Sequence, residues 1–216
     1  MYNRKLFTVV RINKNVFVTI EGLDGSGKST VIEAITDQYP NTVTTAEPSE
    51  LWTGKQVRRC LSDESIDPLT DFYFFMGDRV QHIEEEVRPA DEAGKLVVSD
   101  RYADSTRAYQ PVGLGQSPHF DSQTTAKIFI EQSMAPWNYE PDLTIYLDIS
   151  VDTAIERSDG DEKYEKRDFL TEVKQNYDAL VEAERERFVV IDGEQSKEEV
   201  ARQAVSKLDL PPLDRI

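Results

Sequence analysis

Gly22-Leu23-Asp24-Gly25-Ser26-Gly27-Lys28-Ser29 follows the pattern G-x-x-x-x-G-K-[ST], which sets a lysine and a hydroxyl at fixed positions after closely spaced glycines. The glycines let successive backbone N–H groups turn inward around phosphate oxygens. A helix opening near Lys28 adds the positive end of its dipole. Such a cradle predicts contact with a nucleoside triphosphate from Gly22 through Thr30, with Lys28 at the β/γ-phosphates and Ser29 on Mg²⁺. A glycine-rich turn with no chemistry would not require both the lysine and the hydroxyl. A second pair, Asp100-Arg101, offers an acid able to position the waters of Mg²⁺ and an arginine able to bridge two polyanions. The competing reading of that pair is an exposed surface ion pair.

Five β-branched or aromatic runs, at 16–20, 42–45, 96–99, 143–147 and 188–191, supply the elements that must position these groups. Helix-compatible sequence precedes the last four, so the alternation predicts parallel βαβ units in an α/β fold, a five-stranded parallel sheet flanked by helices. Glu21-Gly22, Asp100 and Asp148 follow three of the runs at once, which puts polar chemistry at the carboxyl edge of the sheet, where open α/β sheets bind ligands. Helices are predicted near 28–39, 51–61, 68–93, 121–135, 151–157, 165–186 and 196–207, and the Pro- and Gly-punctuated stretch 110–119 reads as a loop. Residues 1–14 and 211–216 read as tails around a single domain spanning 15–210.

The 216 residues carry 41 Asp+Glu against 25 Lys+Arg, a net charge of −16 that opposes binding to nucleic acid or to anionic lipid. The acid excess also suits a protein kept soluble in concentrated salt; an ordinary acidic enzyme is the competing reading. Cys60 is the only cysteine, so no intramolecular disulfide or thiolate zinc site can form, which fits a reducing cytoplasm. No stretch approaches the length of a membrane span, and secretion is not expected.

A cradle for triphosphate serves several classes of protein. A GTPase needs an N-K-x-D base reader, yet Asn13-Lys14-Asn15 precedes the first strand and lacks the aspartate; a D-x-x-G switch is missing where Ser99-Asp100-Arg101-Tyr102 ends the third strand. An L-S-G-G-Q-like signature of transporter ATPases is absent too. A small kinase remains.

From Val16 to about Val205 the chain resembles the thymidylate kinases. The resemblance rests on Ile20–Thr30, Glu47-Pro48, Phe75 with Asp78-Arg79, Asp100-Arg101-Tyr102 with Ser105 and Ala108-Tyr109-Gln110, and Pro141-Asp142-Leu143 with Tyr146-Leu147-Asp148. It implies a P-loop NTPase fold with a small mobile lid, ATP and Mg²⁺ as cofactors, dTMP as acceptor, and a homodimer formed through long helices. It also implies that Asp24 accepts a hydrogen bond from the acceptor's 3′-hydroxyl, that Phe75 stacks on the thymine and that Arg79 reads a base carbonyl. The (i, i+4) spacing does put Phe75 and Arg79 on one helix face. Read from the residues alone, with Phe72, Tyr73 and Phe74 beside it, Phe75 is a core residue; only the resemblance makes it a ligand contact. By the same resemblance Arg58 holds the acceptor phosphate, Glu47 shapes the acceptor pocket, Thr106 offers a polar group to the base, and Tyr109 lies against the deoxyribose and crowds a 2′-hydroxyl. Two departures stand out: Ala46 occupies a position where the family often has arginine, and the P-loop carries no arginine among Leu23, Asp24, Gly25 and Ser26.

The missing charge must come from elsewhere, and the segment 157–168, which matches the family's lid, offers Arg157, Lys163, Lys166 and Arg167. Acids surround Lys166 and Arg167, as on a solvated face. Arg157 is preferred because it ends a helix after Asp148 and resembles the family's lid-base arginine; Lys163 is second. Together these features predict in-line phosphoryl transfer from ATP to dTMP, with Lys28, Asp100, Arg101 and Arg157 as catalytic groups. Two alternatives stay open: a kinase for another nucleoside monophosphate or a deoxynucleoside, and a non-catalytic nucleotide-binding module. The second would need neither an acceptor pocket nor a lid.

Overall fold

A computed structural model describes residues 16–157 and 167–208. Both predicted tails, Lys163 and Lys166 lie outside the described residues. Strands β1 (Val16–Gly22), β2 (Thr42–Ala46), β3 (Leu96–Asp100), β4 (Leu143–Asp148) and β5 (Phe188–Asp192) form one parallel sheet in the order β2-β3-β1-β4-β5. The chain leaves β1 in the centre and its neighbours β3 and β4 lie on opposite sides. The crevice at that switch point opens at the carboxyl ends of the strands, directly above the P-loop.

Side chains alternate across the sheet because successive residues of a strand point to opposite faces. Val18, Ile20, Val98, Ile145 and Leu147 turn to α1 (Lys28–Gln38) and α9 (Lys197–Lys207). Phe17 and Val97 turn the other way and pack with residues of α3 (Pro68–His82), α5 (Ala103–Gly115) and α6 (Gln123–Met134). Tyr146 and Phe188 continue that face towards α7 (Val151–Arg157) and α8 (Arg167–Ala183). The helix α2 (Trp52–Leu61) packs against α3 and bonds to it through Thr53 and Asp78, Oγ1 to Oδ1 at 2.8 Å.

All five predicted strands are present, and two helical predictions need correction. The stretch 110–119 is not a loop throughout: α5 runs to Gly115 with Pro111 inside it. Pro111 removes one helical hydrogen bond, a local cost of a few kcal/mol. Ala108, Val112 and Leu114 are fully buried, so tertiary packing outweighs that cost. The helix predicted at 68–93 is interrupted: α3 passes into a π-helical turn, Ile83–Val87, before α4 (Arg88–Glu92). Pro89 cannot donate to the carbonyl one turn earlier, and the wider turn lies directly ahead of it. α3 starts at Pro68 as expected, with Pro68 in the first turn and Asp67, which sequence reasoning did not single out, capping Leu69 N at 2.9 Å.

Candidate active site

The loop between β1 and α1 turns sharply because Gly25 and Gly27 adopt φ of 76° and 95°, a region closed to most side chains. Lys28, 8 % exposed, folds back over the loop and donates to Leu23 O at 3.1 Å and Gly22 O at 3.5 Å, with Asp24 Oδ1 also 3.5 Å away. Burial pulls the lysine below its ordinary pKa, and the neighbouring Arg101 adds to that. Residues 24–30 line a cleft of about 1040 Å³ together with Glu47, Arg58, Phe75, Arg79, Asp100, Arg101, Thr106, Tyr109 and Arg157. Apart from Gly22 and Leu23, which contribute carbonyls to Lys28, and the lid cations other than Arg157, the residues singled out for catalysis and for binding ATP and the acceptor line this cleft.

Arg101 sits at the centre of the cleft. Its backbone takes a left-handed φ of 65°, its Nη2 donates to Asp24 Oδ1 at 2.7 Å, its Nη1 donates to Ser105 Oγ at 3.1 Å, and its guanidinium lies 5.2 Å from the Tyr109 ring centroid. Arg101 holds the Asp24 carboxyl well below the usual carboxylate range. Below this pair lies Glu21, fully buried. Its Oε1 accepts from Tyr102 N at 2.8 Å and Ser105 N at 3.2 Å; its Oε2 accepts from Ser105 Oγ at 2.6 Å and Tyr177 Oη at 2.8 Å. Burial, reinforced by Asp104, pushes the Glu21 carboxyl up to about 7. Asp100 Oδ1 is buried without a hydrogen-bond partner among the described residues, at the cleft wall.

At the far end, Arg79 and Glu47 form a buried ion pair, with Arg79 1 % and Glu47 5 % exposed. Nε reaches both carboxylate oxygens at 3.1 and 2.9 Å, and Nη2 reaches Oε2 at 2.5 Å and Thr106 Oγ1 at 2.7 Å. Arg79 draws the Glu47 carboxyl below its ordinary value despite the opposing effect of burial. Phe75 lines the cleft and also packs on the core. Arg58 Nη1 donates to Pro48 O at 2.9 Å, across the cis Glu47–Pro48 peptide.

Arg157 approaches the P-loop directly, with Nη1 donating to Gly25 O at 3.2 Å and to Gly193 O at 3.3 Å. A Cβ on Gly25 would stand 2.6 Å from Arg157 Cβ, so the two backbones are packed in contact. Arg167, the other described lid candidate, pairs instead with Asp152 at an exposed position away from the cleft lining. Sequence reasoning missed Ser105, Tyr177 and His82 as supports of the site and Gln110 in its wall. Ser105 and Gln110 did fall within the quoted D-R-Y-x-x-S-x-x-A-Y-Q run. Nothing local marks Tyr177, which arrives from α8.

The central strand feeding a P-loop, and the acid-arginine pair closing the adjacent strand, define a P-loop nucleoside triphosphate-binding fold. The family model for thymidylate kinase matches residues 20–204. A probable thymidylate kinase of Halorubrum lacusprofundi is 40% identical over 185 residues, covering 86% of this chain and 93% of the relative. Another, of Halobacterium salinarum, is 40% identical over 194 residues, covering 89% and 95%. The crystal structure of thymidylate kinase from Ehrlichia chaffeensis superposes with a TM-score of 0.69 at 25% identity, covering 90% of this chain and 98% of that one. The chain belongs to the thymidylate kinase family.

Proposed function

We propose that the chain transfers the γ-phosphoryl group of ATP to dTMP, giving ADP and dTDP in one in-line step. The observation that carries this reading is the single cleft with a P-loop at one end, the buried Arg79–Glu47–Thr106 cluster beside Phe75 at the other, and Asp24 and Arg101 between them. Such a site works by positioning and charge neutralisation, with no covalent enzyme intermediate.

In this reading residues 22–30 hold the ATP phosphates and Lys28 swings from the loop carbonyls to the β/γ-phosphates. Arg101 bridges donor and acceptor phosphates. Asp24, kept ionised by Arg101, accepts from the 3′-hydroxyl. Arg58 reaches the acceptor phosphate, Phe75 stacks on the base, Arg79 and Thr106 meet its polar edge, Glu47 fixes Arg79, and Tyr109 closes the 2′ side. Arg157, which reaches the P-loop at Gly25 O, supplies the cation that the P-loop lacks.

The donor set fits Mg²⁺. Ser29 lies at the start of α1, and Asp100 keeps a buried carboxylate oxygen unpaired. Mg²⁺ is commonly bound through one or two carboxylates together with waters and substrate phosphates, so a hydroxyl and a carboxylate make a sufficient protein share. When bound, it would neutralise charge on the β- and γ-phosphate oxygens.

A homodimer belongs to the same proposal, supported by Trp52 of α2 and by Tyr73, Phe74 and Val80 of α3, all of which stand exposed. So do a cytoplasmic location and a preference for high salt, the latter resting on the charge of −16. Among the described residues no helix is long and apolar enough to cross a membrane. The test of the activity is stoichiometric: with ATP–Mg²⁺ and dTMP the chain should form dTDP and ADP one for one. ADP release without dTDP would sink the reading.

A further inference from the structure

Arg79 is held by a chain of side chains that extends beyond the cleft and ends on the edge strand. Its guanidinium has five N–H groups. Those on Nε and Nη2 are committed to Glu47 and Thr106, while Nη1 has, among the described residues, only the sulfur of Met134 at 3.4 Å. The Nη1 edge is therefore the one with strong donor capacity left for a ligand, and what decides where it points is the carboxylate gripping the opposite edge. Among the described residues that carboxylate has one further partner: His82 Nδ1, 3.1 Å from Glu47 Oε1.

His82 is fully buried, one turn after Arg79 on α3, and does not line the cleft. Glu47 is ionised and can only accept, so the bond requires the hydrogen on Nδ1. Nε2 lies 2.6 Å from Thr45 Oγ1 on β2, and the same hydroxyl oxygen lies 2.6 Å from Glu86 Oε2 on the π-helical turn. The imidazole is thus clamped on both sides, by the edge strand and by the turn that follows α3. It passes that fixed position to Glu47 and through it to Arg79.

We propose that His82 is a positioning residue for acceptor recognition, acting through Glu47 to aim the free edge of Arg79 into the cleft. This rests on the reading of Arg79 as the group that meets the acceptor base. Without the imidazole, Glu47 Oε1 keeps only the 3.1 Å contact from Arg79 Nε, and the carboxylate can turn about its terminal bond.

The experiment compares His82→Asn, His82→Gln and His82→Leu, with Arg79→Ala as reference, by calorimetric Kd for dTMP and by KM for dTMP and ATP. The asparagine amide nitrogen falls near Nδ1 and can still donate to Glu47; the glutamine nitrogen falls near Nε2 and serves Thr45 instead. Loss of the Glu47 bond should raise Kd and KM for dTMP about five- to tenfold in His82→Leu and His82→Gln, the scale of one hydrogen bond. His82→Asn should stay within about twofold of wild type, and KM for ATP should stay within about twofold in all three. Equal effects of Asn and Gln, or a parallel rise in KM for ATP, would overturn the proposal in favour of a general packing role. If His82→Leu fails to fold, the Asn and Gln pair decides alone. Arg79→Ala separates the layers. If it weakens dTMP binding while the His82 variants do not, only the role of His82 falls. If it leaves dTMP binding unchanged, the acceptor reading falls with it.

Discussion

Replacing Glu21 by Gln should make the protein more stable than wild type at alkaline pH, by an amount that grows as pH rises. Glu21 is fully buried, and its carboxyl is pushed from the ordinary 4.5 to about 7. Below about pH 4.5 both folded and unfolded chains hold the proton, and the group has no effect on the pH dependence. Between the two values the unfolded chain loses its proton first, so stability falls. Above about 7 the whole penalty is present, roughly 3 kcal/mol by linkage. From about pH 5.5 to about pH 8.5, roughly 2 kcal/mol of that penalty develops. Glutamine does not titrate, and its amide can replace the four contacts. Its oxygen accepts from Tyr102 N and Ser105 N, and its nitrogen donates to the hydroxyls of Ser105 and Tyr177. Urea unfolding of both proteins across this range gives the answer as a difference, in which the titration of the other acids largely cancels. A constant difference between the two proteins would mean that the donors and Arg101 fully offset burial, and the reasoning would be refuted.

Lys28→Ala should leave the fold intact and reduce dTDP formation on the order of 10²-fold or more, because it deletes the fixed P-loop charge aimed at the transferring group; near wild-type turnover would remove the P-loop from the mechanism. Arg157→Ala should lower kcat by an amount worth roughly 3 kcal/mol while barely changing the Kd for ATP, since a lid cation acts on charge developing in the transition state. If Lys163→Ala is crippling and Arg157→Ala is not, the role passes to the lysine. Molar KCl should raise the melting temperature or the activity relative to dilute buffer, by screening the acidic self-repulsion; an unchanged melting temperature and full activity without salt would leave the acidity as composition alone.

What the sequence made legible was local in origin. The P-loop, the start of α3 ahead of Pro68 and the five strands each follow from residue types at fixed spacing, whereas the preference for Arg157 over Arg167 needed the family resemblance as well as its place at the end of a helix. What stayed hidden depends on chain segments meeting. Glu47 and Arg79 are 32 residues apart and pair only because β2 and α3 converge. Glu21 is separated by 156 residues from Tyr177. An acid directly after a strand reads as part of the ligand edge, yet Glu21 faces inward as a buried acceptor for the N-terminus of α5. The helix through Pro111 likewise owes its existence to burial rather than to propensity.

The account stands most directly on acceptor choice, measured as initial rates of diphosphate formation with ATP–Mg²⁺ and equal concentrations of dTMP, dUMP, UMP, AMP and GMP. dTMP should be fastest. dUMP should be slowed by the ~1–3 kcal/mol that one methyl group is worth, and UMP should fail more severely because its 2′-hydroxyl meets the Tyr109 ring. AMP and GMP should be too large for the acceptor pocket. Faster phosphorylation of AMP or GMP than of dTMP would contradict the account.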